Sequence, residues 1–180
     1  MRWSNLLIMK NSQDPFGRLT AAPNKQKDIH ATAVYIRFIL MAILMFAAMY
    51  FSMFAMIDKF ENLIPNINNL HMTLLMTAIM LLIELAVMHT MYPKRELNLG
   101  IASVVLALAI FAWFGIREQI NVDDKQFVKG MVPHHAAAIL MAEKASLTDP
   151  ELIQLQRQIL ETQRREIALM KRKLEALEGE

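Results

Sequence analysis

Three long apolar runs occupy the first two thirds of the chain. Phe38 to Ile57 carries no charge, Leu70 to Met91 is interrupted only by Glu84, and Leu97 to Ile116 is again free of charge. A helix that crosses a bilayer needs about 20 mostly apolar residues, and an ordinary amphipathic helix would show a polar face within each run. The pattern therefore predicts three transmembrane helices over residues 38–57, 70–91 and 97–116, within a membrane region of 31–117. Before them lies a polar leader, Met1 to His30, with Pro15, Gly17 and Pro23; it is expected to be largely disordered. The first apolar run follows that leader without a small-residue cleavage pattern, so it does not read as a cleavable signal peptide.

The pattern changes after residue 117. Asp123 or Asp124 can cap a helix running to about Ser146, and Thr148-Asp149-Pro150-Glu151 is a second start signal, with Asp149 as N-cap and Pro150 in the first turn. The second helix should run to about Leu177, with Gly179 ending it. Along it, Ile153, Leu160, Ile167 and Leu174 recur every seven residues, beside Gln156, Gln163, Met170 and Leu177. Two glutamines in such a seam call for a polar feature opposite them. The predicted fold is all-α: three transmembrane helices followed by an antiparallel helical hairpin over residues 118–180.

Composition sharpens this reading. Of 180 residues 55% are hydrophobic, with only 5 Gly and 6 Pro, which favours long helices. The absence of Cys excludes disulfides and thiolate metal sites, and a net charge of +2 gives no case for nucleic-acid binding. Lys and Arg set the orientation: Arg2, Lys10, Arg18, Lys25, Lys27 and Arg37 precede or open the first run, and Lys94 and Arg95 lie in the second loop. Both segments are expected on the cytoplasmic side, which puts the hairpin on the periplasmic or extracellular side of a multi-pass protein of the cytoplasmic membrane.

Methionine is unevenly placed. Met41, Met45, Met49 and Met53 are four apart, followed by Met56; Met72, Met76 and Met80 repeat that spacing, Glu84 takes the next step and Met88 the one after, while the third run has no Met. Residues four apart share a helix face. Facing stripes, with His71 at their outer end, would make a soft-metal path, because thioether sulfur prefers Cu(I) and Ag(I) and needs no deprotonation. Met as adaptable packing filler accounts for the same stripes. Glu84 is either a proton or metal group or a neutral carboxyl bonded to a neighbouring helix.

In the hairpin, Met131, His134, Ala138, Met141 and Ala145 share a stripe. An antiparallel fold near Thr148 brings His134 level with Gln163, Met131 with Glu166 and Met141 with Gln156. Pro133 removes one backbone bond just before the histidines and is expected to kink the helix there, with Gly130 adding local freedom.

From Arg117 to Leu177 the chain resembles the Domain of Unknown Function 305 family. The resemblance rests on Met131-Val132-Pro133-His134-His135 with the small and apolar residues after it, on Val122-Asp123-Asp124, on Asp149-Pro150, and on the stretch Gln163 to Met170. The tract Met91-Tyr92-Pro93-Lys94-Arg95 resembles that family's membrane-bound branch. The resemblance implies a ferritin-like helical fold, here a half-bundle to be completed by dimerisation or higher homo-oligomerisation. It also implies Cu(I) or Ag(I) binding and a role in copper tolerance or handling. The ligands would be His134, His135, Met131, Met141 and Met170, with Gln163 and Glu166 behind them. The competing reading is a structural or regulatory membrane module whose hairpin mediates oligomerisation or partner docking without metal. No Glu-x-x-His, nucleophile–base pattern or phosphate loop is present, so no enzymatic activity is expected.

Overall fold

The computed structural model describes residues 25–179; the disorder expected before residue 25 lies outside the described residues. All regular structure among the described residues is helical: α1 (Lys25–Ser52), a 3-10 turn (Phe60–Asn62), α2 (Ile67–Val87), α3 (Arg95–Arg117), α4 (Asp124–Lys144) and α5 (Pro150–Glu178). Three segments are long and apolar enough to cross a membrane: Ala31–Ser52, Ile67–Val87 and Arg95–Arg117.

Each helix boundary has a local cause. No Pro or Gly stands between Pro23 and Pro65, so nothing stops α1 from starting early; residues 25–30 are its first turns rather than part of a disordered leader. The apolar run that predicts a span to Ile57 leaves the helix at Ser52. The Ser52 hydroxyl donates to the Ala48 carbonyl at 2.7 Å, and the following residues tighten into turns. Phe54 is buried there, and Ile57 packs on the core of the α4–α5 hairpin. Hydrophobicity alone cannot separate burial against protein from burial in lipid.

Asn66 starts α2 three residues before the predicted boundary. Its side chain accepts from the Asn69 backbone N–H at 2.9 Å. Pro93 ends the loop after α2, and α3 begins two residues later. Between α3 and α4 the chain turns through Gln119 and Asn121, both at positive φ (50° and 61°). Asn tolerates that conformation well and Gln less so, but Gln119 is held on both sides. Its amide donates to the Ile116 carbonyl at 2.7 Å, and its oxygen accepts from Asn68 at 3.0 Å.

The sequence caps of the hairpin are present. Asp123 accepts from the Gln126 N–H at 2.7 Å, Asp149 accepts from the Leu152 N–H at 3.0 Å, Pro150 occupies the first turn of α5, and Gly179 closes it. Helix α4 runs unbroken through Pro133, ending at Lys144.

Helix α2 is central, with the backbones of α1 and α3 both packed on it. One core joins Phe38, Ala78, Leu81, Leu85, Tyr92, Val105 and Ala109. A second lies within the hairpin, where Val128, Val132, Ala136 and Ile139 of α4 meet Ile167 and Leu174 of α5. Burying one large aliphatic side chain contributes roughly 1.5–3 kcal/mol, so this short stripe stabilises two long helices only modestly. The hairpin is supplemented from the α1–α2 connection: Ile57 and Ile64 pack against its core, and Glu61 lies 3.8 Å from Lys171. Gln126 also accepts from the Ile67 N–H at 3.1 Å, tying α4 to the start of α2. The hairpin therefore sits on the end of the three-helix unit that carries the α1–α2 connection, opposite the α2–α3 loop.

Candidate metal centre in the hairpin

The buried stripe of α4 runs Val128, Val132, Ala136, Ile139, at i, i+4, i+8, i+11. It is offset from the predicted stripe of Met131, His134, Ala138, Met141 and Ala145. The apolar β-branched residues take the interface because they gain most from burial there. This offset decides which histidine faces α5. His135, not His134, reaches across: its Nε2 lies 2.9 Å from Glu166 Oε2, and its side chain is 12% exposed. Its Nδ1 lies 2.8 Å from the Met131 carbonyl one turn back. His134 is exposed and has no hydrogen-bond partner among the described residues; its ring lies 6.1 Å from that of His135.

A carbonyl can only accept, so Nδ1 of His135 carries the hydrogen of that bond. This holds the ring orientation and leaves Nε2 as the atom that faces the side chains of α5. Locking one imidazole nitrogen on a backbone carbonyl is how metal-binding histidines are oriented. Glu166 therefore sits at Nε2 itself rather than behind the ring. Met131 contributes its carbonyl to this cluster. Met170 is part-buried against the hairpin core, Gln163 is part-buried on α5, and Met141 is 54% exposed. Met141 and Gln156 line one groove near the hairpin tip, level as expected, but no hydrogen bond joins their side chains among the described residues. Gln156 donates to the carbonyls of Ala142 and, at 3.3 Å, Ala145, so the polar feature opposite this seam glutamine is the C-terminal end of α4. Arg164 pairs with Glu143 on the opposite flank of the hairpin.

Among the described residues no group of three or more His, Cys, Asp or Glu side chains could hold a metal ion. Any ion held here would rest on the two imidazoles and on thioethers. That donor set fits a soft monovalent ion and not a hard one.

The two methionine stripes do not face each other in the monomer. Met41 and Met45 pack on the three-helix core, and Met49 receives the Thr77 hydroxyl at 3.7 Å. On α2 the inward positions belong to His71, Thr73, Thr77, Ala78, Leu81 and Leu85, while Met76, Met80 and Met88 face outward and Met72 is half-buried. Thr73, Thr77 and Ala78 give the inward face room for close packing beside the larger His71, Leu81 and Leu85. Met53 and Met56 fall in the turn beyond α1.

His71 is buried, but its ring packs on Gly115 and edge-on to Phe111 (5.8 Å), with Nδ1 unpartnered among the described residues. Glu84 is bonded to a neighbouring segment: it accepts from the Tyr92 hydroxyl. Burial, then this hydrogen bond, push the Tyr92 phenol well above its ordinary value, so it remains a donor. Tyr92 also packs on Tyr35 (5.7 Å) and Phe38 (5.6 Å), which closes the loop end of the bundle. No sequence periodicity marks the Glu84–Tyr92 pair or the His71–Gly115 contact, because both join different elements.

The family model described as "Domain of unknown function (DUF305)" matches residues 117–174, from the end of α3 through most of α5. The uncharacterized protein L153 of Acanthamoeba polyphaga mimivirus is 31% identical over 132 residues, which cover 72% of this chain and 85% of that protein. The chain belongs to the DUF305 family. The match to the viral protein is more than twice as long as the hairpin, so it reaches into the apolar region before it. No solved structure matches the chain.

Proposed function

We propose that this DUF305 protein is a membrane-anchored binder of a soft metal ion, Cu(I) or Ag(I), acting in copper tolerance or handling. The hairpin captures the ion on the non-cytoplasmic side. The observation that carries this reading is the state of His135: Nδ1 is fixed on the Met131 carbonyl, so Nε2 is presented at the α4–α5 seam beside the exposed His134. The chain has no Cys to compete for such an ion. Metal binding at His135 requires Glu166 to leave Nε2, which makes that carboxylate a competitor for the site. The outward-facing Met76, Met80 and Met88 give no support to a path between two stripes within one copy, so the proposal rests on the hairpin.

The test is titration of Cu(I) into purified full-length protein in detergent against a chromogenic chelator, beside the His134→Ala/His135→Ala variant. Tight binding lost in the variant is the expected result. Wild-type protein that leaves all Cu(I) with the chelator would remove the metal reading.

One observation favours a second reading, a self-association module. An open groove of about 300 Å³ near the hairpin tip is lined almost entirely by apolar groups, including Met141, Leu152, Leu155 and Ile159. A second copy laid on this face would complete a four-helix bundle. Crosslinking in membranes that yields monomers alone would count against it.

A further inference from the structure

At the end opposite the hairpin, α2 and α3 diverge around a groove of about 460 Å³. Its chemistry is segregated along its length. Leu82, Ala86, Leu99 and Ala102 form apolar walls, while His89 and Arg95 stand at the end nearest the α2–α3 loop. From Ala102 to Arg95 is seven residues, or about 10 Å of helix. Ala86 and Ala102 leave the space: larger side chains at these positions would fill it. The floor is stiffened by Tyr92 and Asn98, because Asn98 donates to the Tyr92 carbonyl at 3.0 Å and accepts from the Tyr35 hydroxyl at 2.7 Å.

The loop end is cationic and unsatisfied. Arg95 is the first residue of α3, and its guanidinium has neither an ion pair nor a hydrogen bond among the described residues; the same holds for the Lys94 ammonium. The His89 Nδ1 lies 3.1 Å from the Ala86 carbonyl, which leaves Nε2 open. Lys94, the N-cap of α3, provides no side-chain cap, so the first N–H groups of that helix add their partial positive charge. Glu96 is the opposing charge in that turn.

We propose that this groove binds an anionic phospholipid. The headgroup phosphate lies against Arg95 and His89, and one acyl chain runs along Leu82, Ala86, Leu99 and Ala102. The inference rests on the membrane reading of α1–α3 and not on metal binding. Charge complementarity selects the occupant: a zwitterionic lipid brings its own cation to an end that already holds Arg95 and Lys94, an anionic lipid does not, and free phosphate gains nothing from the apolar walls. Basic pockets between spanning helices on the cytoplasmic side recognise anionic headgroups in this way, and the Lys and Arg distribution places this loop on that side.

The test uses full-length protein in nanodiscs of phosphatidylcholine with a minor fraction of phosphatidylglycerol. Lipid retained after gentle detergent release is counted by native mass spectrometry. Wild type should retain phosphatidylglycerol at least fivefold over its share of the bilayer. Arg95→Gln/His89→Gln should lose that preference while melting like wild type in pure phosphatidylcholine. Ala102→Phe, which blocks the chain path and leaves Arg95 and His89 in place, should lose it too. Equal retention of the two lipids by wild type, or undiminished preference in both variants, overturns the proposal. So does equal thermal stabilisation by inorganic phosphate in pure phosphatidylcholine, which would make the site one for free anions. Failure of the chain to remain in membranes after alkaline carbonate extraction would instead strike the membrane reading itself, and the lipid site with it.

Discussion

His135 and Glu166 join the two helices of the hairpin through a 2.9 Å contact between Nε2 and Oε2, thirty-one residues apart in sequence. The pair lies next to the buried Val132, Ala136 and Ile167, and its histidine is far less exposed than its glutamate. It links packing to chemistry, because the nitrogen that holds the hairpin together is the one that a metal ion would need.

Breaking this pair is expected to cost stability. Charged hydrogen bonds contribute roughly 1.5–3 kcal/mol, and solvent at the half-exposed Glu166 reduces this to about 1 kcal/mol. Glu166→Ala and His135→Ala should each lower the denaturation midpoint of the full chain in detergent. The double variant should lose less than the sum of the two. Strict additivity would show that the contact contributes nothing.

The same carboxylate should tune metal binding in the opposite direction. Carboxylate oxygen is a poor ligand for Cu(I), so Glu166→Ala removes a competitor from Nε2. Cu(I) affinity should rise severalfold in competition with a chelator, although the protein is less stable. A fall in affinity would make Glu166 a ligand.

Gly115 has no room for a side chain. A Cβ there would stand 2.9 Å from three ring atoms of His71. Gly115→Ala should destabilise the α2–α3 pair by about 1–3 kcal/mol, the usual range for overpacking. Adding His71→Ala should recover part of that loss. Thermal melts of the three variants in the same detergent decide the point; a Gly115→Ala protein as stable as wild type would mean that the ring can move aside.

Glu84 and Tyr92 should behave as a unit. Tyr92→Phe leaves Glu84 without its partner and should cost about 1–3 kcal/mol, the desolvation penalty of an unsatisfied polar group. Glu84→Met together with Tyr92→Phe removes both polar groups and should restore most of the stability. A double variant less stable than Tyr92→Phe alone would contradict this.

The base of the hairpin should loosen in acid. A hydrogen bond and charge attraction from Lys129 (3.0 Å), with Lys125 adding to them, hold the Glu178 carboxyl below its ordinary value. A depressed carboxylate pKa contributes stability that is present above the ordinary value. That contribution is lost as pH falls through the folded value. Amide exchange in the last turn of α5 should accelerate, relative to mid-helix amides, as pH is lowered through that range. Glu178→Gln should remove the dependence.

Much of the architecture is legible in the sequence because its causes are local. Three runs of about 20 apolar residues give three helices of membrane length, and Asp123, Asp149, Pro150 and Gly179 mark the hairpin with side chains that act on their own helix ends. Met131-Val132-Pro133-His134-His135 is enough to identify the family, and family model and sequence motif coincide. Tertiary structure decided what depends on helix rotation and on distant partners. Adjacent histidines differ by about 100° around α4, so competition for the buried stripe turned His135 toward Glu166 and left His134 in solvent. A four-residue methionine period defines a face but not its direction; close packing of α2 gave the inside to His71, Thr73 and Thr77 and turned Met76 and Met80 outward. Likewise, hydrophobicity put Phe54 and Ile57 in the first span, and only packing showed Phe54 buried in the turns after α1 and Ile57 packed, part-buried, on the hairpin core.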